Sequence, residues 1–168
     1  MDTQEPNETE RQAQRLVDTY SDMILRLSYT YLKSTHDAED ICQSVLVKLI
    51  VSHRTFESPE HERAWIVRVT ANACKDLLRS GHRKKTIALD SAERVCAPEP
   101  PDSSVLDAVM ALPSKYREAI YLHYFEGYAV RDIAVITGRS EDAVNAHLSR
   151  GRKKLRLTMK GEFCGQGL

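Results

Sequence analysis

Residues 130–156 read VRDIAVITGRSEDAVNAHLSRGRKKLR. The spacing predicts two short helices joined by a tight turn. Val130, Ile133, Ala134 and Thr137 share one face of a first helix over about 130–137. Gly138 stands where a chain leaving a helix needs a left-handed residue. Ser140 can cap a second helix, with Glu141 and Asp142 in the first turn, where the macrodipole favours negative charge. Val144, Leu148 and Leu155 form the inward stripe of that helix. Gly151 lies on the same stripe and would let another backbone come close. The remaining faces carry Arg150, Arg152, Lys153, Lys154 and Arg156. Small Ala134 and Gly138 and apolar Val144 fall where two steeply crossing helices must touch. This is a helix-turn-helix pattern, with the second helix the candidate reader of a major groove. A helical hairpin with a solvated basic end is the plainer reading, but a basic run beside this spacing favours DNA.

Working outward, the charge distribution agrees. The 168 residues carry a formal net charge of +0, so bulk charge points to no partner. Yet residues 63–85 hold seven basic side chains against the single acid Asp76. Residues 139–160 hold seven more against Glu141 and Asp142. Acids collect at the N-terminus and in the middle. Two basic patches with an acidic connector suggest two DNA-facing surfaces. The 4 cysteines, Cys42, Cys74, Cys96 and Cys164, make no CxxC, and no secretory h-region opens the chain. A reduced, cytoplasmic setting is expected. Cys42, Cys74, His36 and His82 lack metal-ligand spacing, and no stretch reaches membrane-spanning length. No metal and no cofactor are expected.

The periods predict an all-α chain of two small domains joined by a flexible linker. Residues 1–85 form the first domain, 86–103 the linker, 104–160 the second domain and 161–168 a loose tail. The first eight residues read as frayed. A helix runs from about Thr9 to Leu32 with Leu16, Tyr20, Met23, Ile24, Leu27 and Tyr31 inward. Ser34, Thr35 and His36 break the pattern. A helix capped by Asp37 follows to Val51, with Ala38, Ile41, Cys42, Val45 and Leu49 inward and Val47 and Ile50 off that stripe. Such surplus apolar surface suits a helix packed between neighbours or offered to a protein. Ser52–Glu60 reads as a loop. From Glu62 to Ser80, Trp65, Val69, Ala73 and Leu77, with Ile66 and Leu78, mark another helix. Arg68, Lys75 and Arg79 share its outer face, and Asn72 and Asp76 form a polar pair. Pro98, Pro100 and Pro101 punctuate the linker. In the second domain Ser104 caps a helix and Pro113 starts the next, with Tyr116, Ile120 and Tyr124 as core stripe and Gly127 as stop.

Three stretches in order resemble the extracytoplasmic-function group of sigma-70 family factors. DAEDICQSVLVKLI is similar to region 2.2 and ERAWIVRVTANACKDLLRS to regions 2.3 to 2.4, with the family's Trp, Asn, Asp and Arg at Trp65, Asn72, Asp76 and Arg79. ALPSKYREAIYLHYFEGYAVRDIAVITGRSEDAVNAHLSRGRKKLR is similar to region 4. The resemblance implies a subunit that directs bacterial RNA polymerase to promoters, melts the −10 duplex and starts transcription.

It also implies partners and sites. Asp37, Asp40, Ile41, Gln43, Ser44, Val47 and Lys48 would meet the β′ clamp helices of core polymerase. Phe56, Trp65, Arg68, Asn72, Lys75, Asp76, Arg79 and Arg83 would hold the −10 element, with the 52–60 loop receiving a flipped base. Ser140, Ala143, Asn145, Ala146, His147, Arg150, Arg152, Lys153 and Lys154 would contact the −35 duplex, with the β flap nearby. The family often has Thr at position 143, Lys or Arg at 145 and Ser at 146. Here Asn145 could pair with an adenine edge, and Ala143 or Ala146 could meet a thymine methyl. An anti-sigma protein is the implied inhibitor.

Two other classes compete with this reading. A stand-alone helix-turn-helix regulator would use the first domain to dimerise, through the apolar surplus on 37–51. An enzyme would need a nucleophile elbow, phosphate loop, HExxH or paired carboxylates in a pocket context, and the sequence offers none of these; Asp37, Glu39 and Asp40 are better explained by helix capping. The chain is therefore expected not to be an enzyme.

Overall fold

A computed structural model describes the backbone of residues 7–80 and 103–164. The described residues are helical with no strand, as the periods predict, and fall into two compact units, Met1–Arg83 and Lys84–Leu168. Arg83 and the expected linker up to residue 102 lie outside the described residues.

The first unit contains α1 (Glu8–Leu32), α2 (Thr35–Ser52) and α3 (Pro59–Arg79). A capping box starts α1: the Asn7 side chain accepts the Glu10 N–H at 2.9 Å, and Glu10 accepts the Asn7 N–H at 3.2 Å. Two orphan donors are satisfied at once, so the helix begins inside the segment expected to fray. Its core face is Leu16, Tyr20, Met23, Ile24, Leu27, Tyr31 and Leu32. Ser34, not Asp37, caps α2, its hydroxyl accepting the Asp37 N–H at 3.2 Å. Thr35 and His36 are thus helical, and Asp37 sits in the first turn. Ser58 caps α3 and Pro59 occupies its first turn, so the loop shrinks to residues 53–58.

The inward face of α3 also departs from expectation. Ile66, Val67, Thr70, Ala71 and Cys74 are buried, while Trp65, Val69, Ala73 and Leu77 are half-buried and Leu78 is exposed. Polar residues share this face because each is satisfied internally. The Thr70 hydroxyl donates to the Ile66 carbonyl at 2.7 Å, and buried Glu62 meets α1.

The second unit contains α4 (Ser103–Met110), α5 (Ser114–Ile120), a π turn at Tyr121–Phe125, α6 (Val130–Thr137) and α7 (Glu141–Cys164). Ser103, rather than a capping Ser104, opens α4. Buried Arg117 donates to the carbonyls of Met110 and Leu112, each at 3.1 Å, and so closes the end of α4. The π turn inserts a residue into the helical count, with Glu126 N–H bonding the Tyr121 carbonyl at 3.1 Å. It turns Tyr121 and Leu122 inward and leaves Tyr124, expected in the core, 54% exposed. Gly138 takes φ 68° between α6 and α7. The Ser140 hydroxyl accepts the Ala143 N–H at 3.1 Å, as expected of the cap. Ile133, Ala134 and Ile136 are buried on α6, and Val144 and Leu148 on α7. Val130 and Thr137 are only half-buried. Gly151 does permit a close approach, but by a side chain: a Cβ there would stand 2.8 Å from Ile120 Cγ1. Residues 161–164, expected in a loose tail, continue α7.

Candidate nucleic-acid interface

Three surfaces carry the expected site residues. On α7, Asn145, Arg150, Arg152, Lys153 and Lys154 are exposed, and Ala143 and Ala146 are half-buried. Together with Ser140 they present a helix whose first turns are small or polar and whose later turns are basic. Arg152 also donates to the exposed Tyr124 hydroxyl at 3.2 Å, a partner the core reading of Tyr124 had hidden. The expected groove contact of His147 is corrected. Its ring is buried, edge-on to Tyr116 with centroids 5.7 Å apart. It braces α7 against α5. Burial, and then the charges of Arg139, Lys115 and Arg150, push its pKa below the ordinary value. In the turn before α7, Arg139 lies 3.9 Å from the buried Glu118 carboxylate, which ties that turn to α5.

The second surface runs from the α2–α3 loop along α3. The structure brings Phe56 and Trp65 together, centroids 5.7 Å apart. Two neighbours were missed from the sequence. Arg54 lies over the Trp65 ring at 5.3 Å, and His61 meets Phe56 edge-on at 5.5 Å. The signal for them was a cation and an imidazole flanking the only aromatic in RTFESPEH. Arg68, Asn72, Asp76 and Arg79 are exposed and Lys75 half-buried, all at three- to four-residue steps from Trp65 along one face. Asn72 and Asp76 need no buried partner, since both are exposed, and Asp76 pairs with Arg79 at 3.7 Å. Arg83 lies outside the described residues.

The third surface is the outer face of α2. Asp40, Gln43, Ser44, Val47 and Lys48 are exposed, and Asp37 is half-buried. Val47 is 58% exposed and Val51, one turn on and not expected there, 68%. Ile41 is corrected: it is buried and supports the face from below. Asp40 pairs with His36 at 3.5 Å.

A polar brace backs the second surface. Arg15 of α1 donates through both terminal nitrogens to the two Glu62 oxygens, each at 3.1 Å. The Tyr20 hydroxyl donates to Glu62 at 2.6 Å. The Arg15 hydrogen bonds hold the Glu62 carboxyl below its ordinary pKa. Burial, helped by Glu62, pushes the Tyr20 phenol up to about 12. Among the described residues no cluster of three or more His, Cys, Asp or Glu could hold a metal, and no helix is long and apolar enough to cross a membrane.

A helix-turn-helix with a basic second helix, on one chain with a separate helical unit carrying an aromatic and basic face, is the architecture of a DNA-binding transcription protein. Residues 16–84 match the family described as Sigma-70 region 2, and residues 103–155 the one described as Sigma-70, region 4. The chain is 32% identical to RNA polymerase sigma factor CarQ of Myxococcus xanthus, over 71% of this chain and 72% of that one. It is 26% identical to the ECF RNA polymerase sigma factor SigW of Bacillus subtilis, over 86% and 87% of the two chains. Its fold matches that of sigma factor RpoE, solved in complex with the anti-sigma factor NepR from Bartonella quintana, with TM-score 0.70, 20% identity and 89% and 98% coverage. The chain belongs to the extracytoplasmic-function group of sigma-70 RNA polymerase sigma factors. The region 2 match does not favour a stand-alone dimeric regulator, whose first unit would be a dimerisation module.

Proposed function

We propose that this sigma factor works through the three surfaces in the order they occur on the chain. The outer face of α2, through Asp40, Gln43, Ser44, Val47 and Lys48 with Asp37 at its start, binds the β′ clamp helices of core polymerase. The exposed valines supply apolar area that has no partner in the unit itself. Phe56 and Trp65 receive a base extruded from the −10 element, since stacking on aromatic faces offsets the few kcal/mol, roughly, of unstacking. Arg68, Lys75 and Arg79, with Arg83 beyond them, hold phosphates of the −10 strand. Asn145 reads a base edge in the −35 groove, between Ala143 and Ala146. Arg150, Arg152, Lys153 and Lys154 contact the flanking backbone and the β flap. His147 acts by holding α7 in place.

The observation that carries this reading is the pairing of a region 2 unit and a capped, basic helix-turn-helix unit on one chain. The chain acts in the cytoplasm, as a binding subunit and not as an enzyme. An anti-sigma protein holds it inactive by covering Val47 and Val51 on α2. The test is to mix purified protein with bacterial core polymerase and assay for a stable complex and promoter-dependent transcripts. Both are expected. Absence of a complex, with no inhibitor co-purified, overturns the reading.

A further inference from the structure

We infer that the first turns of α1 form one wall of the −10 pocket, with Gln12 as a specificity-determining residue that favours a keto base. This rests on the −10 reading above. A cavity of about 50 Å3 opens between α1 and the α2–α3 loop. Thr9, Gln12 and Leu16 line it from α1, and His53, Arg54 and Phe56 from the loop. The same Phe56 and Arg54 pack on Trp65. The cavity therefore adjoins the aromatic cluster to which the extruded base is assigned. The match to the family's region 2 begins only at residue 16, so Thr9, Gln12 and Arg15 lie ahead of it.

The polar chemistry of this wall is directional. The Gln12 side-chain oxygen accepts from Arg15 Nε at 3.3 Å. That bond orients the amide and leaves its nitrogen without a partner among the described residues. Arg15 is itself fixed by both oxygens of Glu62, which also lines the cavity and is gripped by Tyr20. The brace thus acts as a positioning device, and what it positions is a hydrogen-bond donor. Placed at the purine 6 or pyrimidine 4 position, a donor favours a carbonyl, guanine O6 or thymine O4, over an amino group, adenine N6 or cytosine N4. Gln12 is exposed on a helix surface, so replacing it does not endanger folding.

The experiment uses holoenzyme assembled on core polymerase and a pool of single strands randomised over the −10 segment, with the bound fraction sequenced. Wild type is expected to show a position with a keto preference. Gln12→Ala should weaken that preference about 3- to 10-fold, the range set by one hydrogen bond. Gln12→Glu, which offers an acceptor, should turn it toward amino bases. Core assembly and −35 duplex binding should not change. Base preferences unchanged at every position in both Gln12 variants overturn the inference. Phe56→Ala separates the two levels. If it removes the preference while the Gln12 variants keep it, the loop pocket stands and the α1 wall falls. If Phe56→Ala and both Gln12 variants leave every preference intact, both readings fall.

Discussion

The two units hold their functional helices in different ways. In the first, α3 is held at its start by a charged, hydrogen-bonded brace, Arg15–Glu62–Tyr20, reaching from another helix. In the second, α7 is held by shape. Gly151 lets Ile120 sit against the helix, and the His147 ring packs edge-on to Tyr116. Ionic bracing tolerates acid down to the carboxylate range. Steric and aromatic bracing tolerates no added atom and no added charge. The contrast suits the proposed tasks: one surface must keep a pocket beside polar DNA, the other must set the angle of a single helix.

The comparison can be broken first at Glu62. Glu62→Ala should destabilise the first unit by about 2–3 kcal/mol, because it leaves the buried Tyr20 hydroxyl unpaired and Arg15 without its acceptor. Urea melts of the whole chain, followed by Trp65 fluorescence, read this out. Loss near zero would mean the brace is solvent-like. Gly151→Ala should cost the second unit about 1–2 kcal/mol, since overpacking against buried Ile120 outweighs the helix propensity gained. Combining it with Ile120→Ala, which removes the Cγ1 that the new methyl would meet, should cost less than the sum of the two single changes, and thermal melts that show strict additivity would remove the steric argument.

A pH titration sharpens the contrast without mutation. The folded pKa of His147 is depressed below its ordinary 6.5, so its contribution is complete above that value and declines as pH falls toward the folded pKa. Glu62 is also depressed, from 4.5, so the brace persists to lower pH and is lost only as pH falls through its folded value. The second unit should therefore lose hydrogen-exchange protection at milder acidity than the first. His147→Phe should flatten the early phase, and an unaltered profile in that variant would assign it elsewhere. The smallest effect concerns binding alone. Arg150→Ala or Arg152→Ala should weaken −35 duplex binding and lower the salt slope by about 1, with folding unchanged. An unchanged slope for both would turn the basic end of α7 away from DNA.

Much of the fold was legible because helix signals are local. Three- and four-residue apolar spacing marked all three helices of the first unit. Gly138 and Ser140 marked the turn before α7 through backbone conformation and a single hydroxyl bond. Of the candidate site, the basic residues of α7 and of the outer face of α3 followed from the same periods, whereas the α2 residues and the base pocket came from the family resemblance. Errors arose where a polar residue behaved as core or an aromatic as surface. Asn7 and Ser34 cap α1 and α2 from N-x-x-E and S-T-H-D, local signals weaker than the apolar spacing beside them.

By itself, then, the sequence determined the helical class, the helix-turn-helix, the two basic surfaces and the family. Each follows from local spacing or from motifs in order. Tertiary structure alone decided that Glu62 is buried with Arg15, 47 residues away. It also decided that His147 faces Tyr116, that the π turn puts Tyr124 beside Arg152, and that Thr9 and Gln12 face Phe56 across a cavity. These pairings join residues far apart in the chain. Burial of a charge or an imidazole is favourable only when its partner is present, and the partner is brought there by packing.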